Sequence, residues 1–324
     1  LTYLWPTTQV VIGLFGLYIG GSFLVSGAVG VAKRLKISAI IIGLTVVAFG
    51  TSAPEAFVSS IAAYENRTGV AFGNIIGSNT INIALILGLT AFFMPIPISR
   101  GLIRRDIPFM FLSYLIFIGT MGSGTVTRLE GLLLTLVLVT YTFFLYIQSR
   151  KSNGNDLGTV DLRDVETVPD HESWFRLFLK LGGGIALLGF GAEFLVDGAS
   201  WLAINIFNAS ERFVGMTIVA FGTSLPELVT SLVAMVKKES DISVGNIIGS
   251  NIFNSLFVVG IAALVRPLPG DLGTYVLDIG FMLGVSLLLF ILALVFKKLN
   301  RFSGLIFLGL YGFYFWSLLG SKGI

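Results

Sequence analysis

Apolar residues run through the chain in ten long stretches, at about 8–32, 38–63, 70–96, 106–123, 129–148, 174–204, 213–236, 242–265, 273–296 and 303–320. Charges, prolines and glycine clusters separate them. Their lengths centre on the roughly 20 residues that an α-helix needs to cross the hydrocarbon core of a bilayer. The pattern predicts an all-α polytopic membrane protein with ten transmembrane helices. The first stretch, from about Gln9 to Ala32, follows no basic n-region and reads as a span, not a cleaved signal. The longest polar segment, "SRKSNGNDLGTVDLRDVETVPDHE" at 149–172, is too short for a domain and reads as a mobile linker. It divides the spans five and five: a first repeat at 1–148, a linker at 149–173 and a second repeat at 174–324.

Composition narrows the class further. Hydrophobic residues make up 55% of the 324 positions and charged residues 12%, whereas soluble domains carry about 25% charged residues. With no cysteine and a single histidine, His171, thiolate and histidine-rich metal sites are excluded. The net charge of +3 marks no nucleic-acid partner; the lipid bilayer is the surrounding expected. Basic residues are distributed unevenly. Sixteen fall in loops after odd-numbered spans or at the start of span 6, and five fall on the opposite side. By the positive-inside rule the linker is cytoplasmic and both termini lie outside.

Residues 43–55, "GLTVVAFGTSAPE", align with 215–227, "GMTIVAFGTSLPE", at an offset of 172, with ten of thirteen positions identical. The same offset maps "GNIIGSN" at 73–79 onto "GNIIGSN" at 245–251, Asn82 onto Asn254 and Gly88 onto Gly260. A weaker echo links "FLVSGA" (23–28) to "FLVDGA" (194–199). One shift that serves separated motifs means duplicated halves. Five spans per half is an odd number, so the second half enters the membrane from the opposite side. The halves are therefore expected to be inverted-topology repeats, with the motifs meeting near the midplane. Packing alone would preserve size and apolarity, not Thr, Ser, Pro, Glu and Asn in both copies.

The motifs carry a definite chemistry. Pro54 and Pro226 lack an N–H, which frees the carbonyls of Gly50 and Gly222 from helical pairing. Freed carbonyls inside a membrane are tolerated only in a protein-lined interior, and they suit a hard cation. Ala48, Ser52 and Glu55 share a helical face, and Thr51 and Glu55 are four apart; Asn74, Ser78 and Asn82 follow at i, i+4, i+8. The second half repeats this with Ala220, Thr223, Ser224, Glu227, Asn246, Ser250 and Asn254. Oxygen donors without imidazole or thiolate select Na⁺, K⁺, Ca²⁺ or Mg²⁺. No Lys or Arg between 37 and 66, or between 213 and 236, neutralises Glu55 or Glu227. Two ionised glutamates balance one Ca²⁺, and neutral oxygens help to fill its 6–8 positions. The Ser and Asn side chains also suit helix-to-helix hydrogen bonding. Glu193 and Asp197 read as interfacial, with attraction of cations at an outer mouth as the alternative. Asp106 and Asp278 are expected to reach the interface from span ends.

The two pairs, "GTS-x-PE" followed by "GN-x-x-GSN", resemble the alpha repeats of the sodium/calcium exchanger family, within the cation/Ca²⁺ antiporter superfamily. The resemblance covers nearly the whole chain and is closest to the compact prokaryotic members, which implies a prokaryotic cell membrane. It implies Ca²⁺ between Glu55 and Glu227 with the backbone carbonyls of Thr51 and Thr223. It implies one flanking Na⁺ site at Ala48, Ser52, Glu227 and Ser250, and a mirror site at Ala220, Ser224, Glu55 and Ser78. Asn82 and Asn254 read as cavity-lining groups between these motifs. Some relatives carry Asp at the position of Asn254; the amide removes a proton or K⁺ site. Spans 1 and 6 would slide to alternate access. No cofactor is expected beyond the transported Ca²⁺ and Na⁺, and the chain is read as a monomer. A Ca²⁺/H⁺ antiporter of the same superfamily is the nearest alternative. Such members place an acid where this chain has Gly77-Ser78 and Gly249-Ser250. A channel or an intramembrane enzyme fits less well: nothing predicts a pore ring, and no nucleophile–base arrangement is visible.

Overall fold

The structure is a computed structural model that describes residues 3–35, 37–151, 172–207 and 220–321. Most of the expected linker, and the first part of the stretch at 213–236, lie outside the described residues. The first half contains α1 (Leu4–Leu35), α2 (Ala39–Thr51), α3 (Ala53–Tyr64), α4 (Thr68–Phe93), β1 (Ile96–Pro97), α5 (Ile107–Met121), β2 (Thr125–Val126) and α6 (Arg128–Lys151). The second contains α7 (Trp174–Phe207), the single turn α8 (Ala220–Gly222), α9 (Leu225–Val236), α10 (Ser240–Val265), β3 (Leu268–Pro269), α11 (Leu272–Phe296), β4 (Lys298–Leu299) and α12 (Arg301–Ser321). Six of these helices, α1, α4, α6, α7, α10 and α11, are long and apolar enough to cross a bilayer, and the bent pair α2–α3 makes a seventh.

Local sequence sets the element ends. Thr127 and Glu130 form a reciprocal capping box at the start of α6: the Thr127 N–H donates to Glu130 Oε2 at 2.8 Å, and the Glu130 N–H to Thr127 Oγ1 at 3.2 Å. Asp271 caps α11 by accepting from the Gly273 N–H, and Asn300 caps α12 by accepting from the Ser303 N–H. The stretch at 38–63 is broken: α2 and α3 meet at Ser52 with a bend of 44°. Pro54 lies in the first turn of α3, where a missing N–H costs little. The chain widens into π-type turns at Gly43–Val47, Ile81–Leu87 and Asn254–Val258. Such turns recur where helices carry function.

Packing separates an interior from a lipid face. In α4 and α10, 78% and 83% of the most apolar window is buried; in α1, α6, α7 and α11 the share lies between 22% and 39%. The helices that carry "GNIIGSN" are therefore the central pair. Large apolar side chains such as Phe15, Phe143, Phe190 and Leu277 face outward, which suits hydrocarbon and not water. The two-stranded pairs β1–β4 and β2–β3 each join a strand from one half to a strand from the other. The halves are thus interlocked at both ends.

One main core runs through α2, α4, α5, α10 and α11, and a second lies between α1 and α7. In that second core the backbones touch. A Cβ on Gly20 would fall 2.9 Å from the Gly184 oxygen, and one on Gly184 would fall 2.7 Å from the Leu24 nitrogen. Small residues permit this close approach. Gly184→Leu is therefore expected to lower the thermal midpoint of the detergent-solubilised protein, at an overpacking cost of about 1–3 kcal/mol. Gly284→Leu, on the exposed side of α11, is expected to change stability by no more than about 0.5 kcal/mol. Equal midpoints for the two variants would contradict this packing.

Candidate cation site

Glu55 and Glu227 sit in the first turns of α3 and α9, just past the Ser52 and Ser224 breaks. Both are buried, at 1% and 0% exposure. A break followed by a helix start aims N–H groups and a partial positive charge at that point, which favours an acid there. Each carboxylate accepts from a serine of the opposite half. Ser52 Oγ donates to Glu227 Oε1 at 3.2 Å, and Ser224 Oγ donates to Glu55 Oε1 at 3.3 Å. Ser250 Oγ also donates to Glu227 Oε1, at 3.4 Å. Ser78 Oγ lies 3.4 Å from Ser224 Oγ.

Behind this layer, two matched networks hold the threonines. Thr51 Oγ1 donates to Asn246 Oδ1 at 3.0 Å, and Thr223 Oγ1 donates to Asn74 Oδ1 at 3.3 Å. Asn246 Nδ2 donates to Ser231 Oγ at 3.3 Å, and Asn74 Nδ2 to Ser59 Oγ at 2.9 Å. Asn74 Nδ2 also reaches the Glu55 carbonyl at 3.2 Å. Ser59 and Ser231 complete the networks although they lie outside the two motifs. Sequence reasoning passed over them; the signal was there, because the offset of 172 maps one onto the other.

The remaining expected residues fall as follows. Ala48 is fully buried, and a Cβ placed on Gly249 would meet its Cβ at 2.7 Å, so α2 lies directly on α10 here. Ala220 opens the turn α8, and its side chain lies outside the described residues. Asn82 and Asn254 are buried in the π-type turns, at 1% and 0% exposure. They make no side-chain hydrogen bond to the other site residues. Ser52 bonds to Glu227 and Ser224 to Glu55, so the side-chain pairing runs across halves although Ser52 and Glu55 share a helical face.

The donor set is incomplete in an informative way. Among the described residues, Glu55 Oε2, Glu227 Oε2 and all four amide atoms of Asn82 and Asn254 are buried without a hydrogen-bond partner. Neither glutamate is ion-paired with a Lys or Arg among the described residues. Buried carboxylates need such compensation. Unpaired carboxylate and amide oxygens beside serine hydroxyls suit a hard cation.

Beside the site lies a cavity of about 460 Å³, lined among others by Pro54, Thr223, Pro226, Glu193 and Asp197. The repeat-related positions of that acidic pair are Ser22 and Ser26 in α1, and they are occupied differently. Lys237 Nζ donates to the Ser22 carbonyl at 2.9 Å and to both serine hydroxyls at 2.7 Å. Burial and the neighbouring Lys180 push the Lys237 pKa down, with Glu239 opposing. The acidic pair thus lines a cavity, whereas the serine pair is bonded to a lysine. Asp106, expected to reach the interface from a span end, is paired within the protein. It is fully buried, bridged to Arg105 at 2.6 Å and bonded by the Tyr141 hydroxyl at 2.7 Å, because a guanidinium on the next residue folds back over it. Asp278 stays half-buried and accepts from Tyr314 at 2.7 Å.

Comparison with known proteins gives a consistent picture. Residues 5–147 and 177–320 match the family described as sodium/calcium exchanger protein. The chain is 35% identical over 285 residues to the inner membrane protein YrbG of Escherichia coli, covering 88% of this chain and 87% of that one. It is 30% identical over 339 aligned positions to the sodium/calcium exchanger MaX1 of Methanosarcina acetivorans, covering 93% and 95%. A solved structure of the sodium-calcium exchanger NCX_Mj at zero Na⁺ and Ca²⁺ superimposes with a TM-score of 0.82 at 31% identity, covering 97% of this chain and 99% of that one.

Glu227→Gln keeps an acceptor oxygen for Ser52 and Ser250 while removing the charge. It is expected to fold and to lose calorimetrically measured Ca²⁺ binding by at least about tenfold, since a hydrogen-bonded charge contributes about 1.5–3 kcal/mol. Wild-type affinity in this variant would exclude Glu227 as a ligand.

Proposed function

The chain belongs to the sodium/calcium exchanger family, and on that premise we propose that it is a secondary-active antiporter exchanging Na⁺ for Ca²⁺ across the membrane in which it is embedded. The observation that carries the reading is the matched pair of buried glutamates, each with one oxygen held by the other half's serine and one oxygen unpaired. Ca²⁺ is the substrate that two carboxylates neutralise. It sits between Glu55 and Glu227, with the backbone carbonyls of Thr51 and Thr223 as further ligands. One Na⁺ uses Ala48, Ser52, Glu227 and Ser250; its mirror uses Ala220, Ser224, Glu55 and Ser78. Both glutamates serve both kinds of ion, so occupancy by one excludes the other.

The serine hydroxyls supply the switch. Each donates its hydrogen to a carboxylate when no ion is present, and each also has lone pairs to offer. When Na⁺ enters, the hydroxyl turns its oxygen to the ion. Asn82 and Asn254 line the space between the glutamates. Because both are amides, neither carries a proton or takes up K⁺ as an acid would. The reaction is transport and breaks no covalent bond.

The membrane arrangement belongs to the same proposal. Ten transmembrane helices form two inverted repeats of five, residues 1–148 and 174–324, around a cytoplasmic linker at 149–173 in a prokaryotic cell membrane. Both termini are outside. The cavity beside Glu193 and Asp197 opens outward, while Lys237 fills the cytoplasmic counterpart. Alternating access then comes from α1 and α7 sliding together past the rest. Their glycine-lined contact makes them one body, and the Lys237 bonds to α1 break as it moves. One chain supplies both halves of the site, so a monomer suffices.

The test is ⁴⁵Ca²⁺ uptake into proteoliposomes loaded with Na⁺, K⁺ or choline, with and without a pH gradient. Uptake is expected to require internal Na⁺ and to ignore the pH gradient; uptake driven by the pH gradient with choline inside would make the protein a Ca²⁺/H⁺ antiporter. Asn254→Asp is expected to fold and to give Na⁺-driven uptake a new dependence on pH or K⁺. An unchanged profile would remove Asn254 from the ion path.

A further inference from the structure

The interlocked strands create the same corner twice. At one end of the molecule, the Ile98 N–H donates to the Lys297 carbonyl at 2.9 Å, beside the β1–β4 pair. At the other end, the Gly270 N–H donates to the Gly124 carbonyl at 3.0 Å, beside β2–β3. Both accepting residues adopt the left-handed conformation, with φ of 53° at Lys297 and 80° at Gly124. Glycine takes that conformation without strain, and lysine does not.

The side chains of the two corners differ sharply. Arg100 and Arg104 of the first corner correspond, at the offset of 172, to Leu272 and Val276 of the second. The first corner alone therefore gathers three cations. Arg100, Arg104 and Lys297 line one cavity of about 240 Å³ with Ile103 and Leu294. Among the described residues none of the three makes an ion pair or a side-chain hydrogen bond. Arg105, between them in sequence, is turned inward to Asp106 and Gln148. The buried acid is thereby committed and cannot neutralise the cavity.

A bias of cations to the cytoplasmic side explains why basic residues are here. It does not explain their convergence on one concavity, or a lysine at a left-handed position whose twin is glycine. We propose that this corner binds the phosphate of an anionic phospholipid headgroup in the cytoplasmic leaflet. Two guanidiniums one helical turn apart present forks that match phosphate oxygens, and Lys297 adds a third charge. Leu294, one turn deeper on α11 and 48% exposed, offers an apolar wall to the acyl chain. A soluble phosphate has no group for that wall. Basic pockets between transmembrane helices on the cytoplasmic side suit such headgroups.

The inference rests on the proposed membrane placement but not on ion coupling, so binding is measured without ion gradients. The protein is placed in nanodiscs of phosphatidylcholine containing a minority of phosphatidylglycerol. Retained phosphatidylglycerol is then counted by native mass spectrometry. Arg100→Gln/Arg104→Gln/Lys297→Gln is expected to weaken retention by at least about tenfold, each cation near the surface being worth about fivefold. A control triple, Arg176→Gln/Lys238→Gln/Arg301→Gln, removes three exposed cations elsewhere on the same side and is expected to retain the lipid. Lys297→Gly takes the residue of the twin corner; it is expected to fold at least as well as wild type and to weaken retention by about fivefold. Equal loss in the two triples would reduce the effect to diffuse attraction and overturn the site. Undiminished retention in the pocket triple and in Lys297→Gly would do the same. Displacement of the lipid by millimolar inorganic phosphate would make the corner a soluble-anion site and overturn the lipid assignment.

Discussion

An ionised carboxylate taken out of water costs several kcal/mol unless something compensates it, and here two are buried within an apolar bundle with no basic side chain among the described residues paired to them. Much of the surrounding architecture follows from that constraint. The chain breaks at Ser52 and Ser224, so that each glutamate stands at a helix start. Each break also brings a serine to the opposite glutamate. The hydroxyls supply part of the compensation, and the unpaired oxygens leave the rest to a cation. Unpaired buried oxygens of this kind are what the proposed exchange of cations uses.

Pairing across halves is the second consequence. Because Ser52 serves Glu227 and Ser224 serves Glu55, neither half forms a site alone. The Thr51–Asn246–Ser231 and Thr223–Asn74–Ser59 networks repeat the crossing one layer further out, and the β1–β4 and β2–β3 pairs repeat it at the two ends. Hydrogen bonds buried in a low-dielectric interior polarise and reinforce one another when every member is satisfied. The satisfied outer layer is thus a rigid frame for the unsatisfied inner one.

Departures from the internal symmetry carry as much information as the symmetry. Lys237 bonds to Ser22 and Ser26, while the matching Glu193 and Asp197 line a cavity. Gly124 and Lys297 hold the same backbone conformation with opposite consequences for charge. In the proposed inverted arrangement, equivalent residues lie on opposite faces of the membrane. The two faces differ in ions, lipid and potential, so equivalent positions diverge where they meet those surroundings and stay alike where they meet each other.

The helical membrane class, the duplication at an offset of 172 and the oxygen-only character of the chemistry were all legible along the chain. These follow from composition and spacing, which are local or periodic properties of a chain. The glutamates, serines, threonines and asparagines of the motifs could be named because a polar group in hydrocarbon is conspicuous. Tertiary structure decided the rest. Which serine meets which glutamate depends on how two distant segments cross, which spacing within one helix does not show; only the family resemblance grouped Ser52 with Glu227 and Ser224 with Glu55. Ser59 and Ser231 looked like ordinary small residues until the Asn74 and Asn246 amides reached them. The cover of Arg105 and Tyr141 over Asp106 could not be read from its place at a span end. For the cross-half pairs the reason is sequence separation: partners 146 to 199 residues apart across the site are invisible to any periodic reading and are fixed only when the two halves close on each other, whereas Ser59, Ser231 and Asp106 depended on where nearby side chains turn in the packed fold.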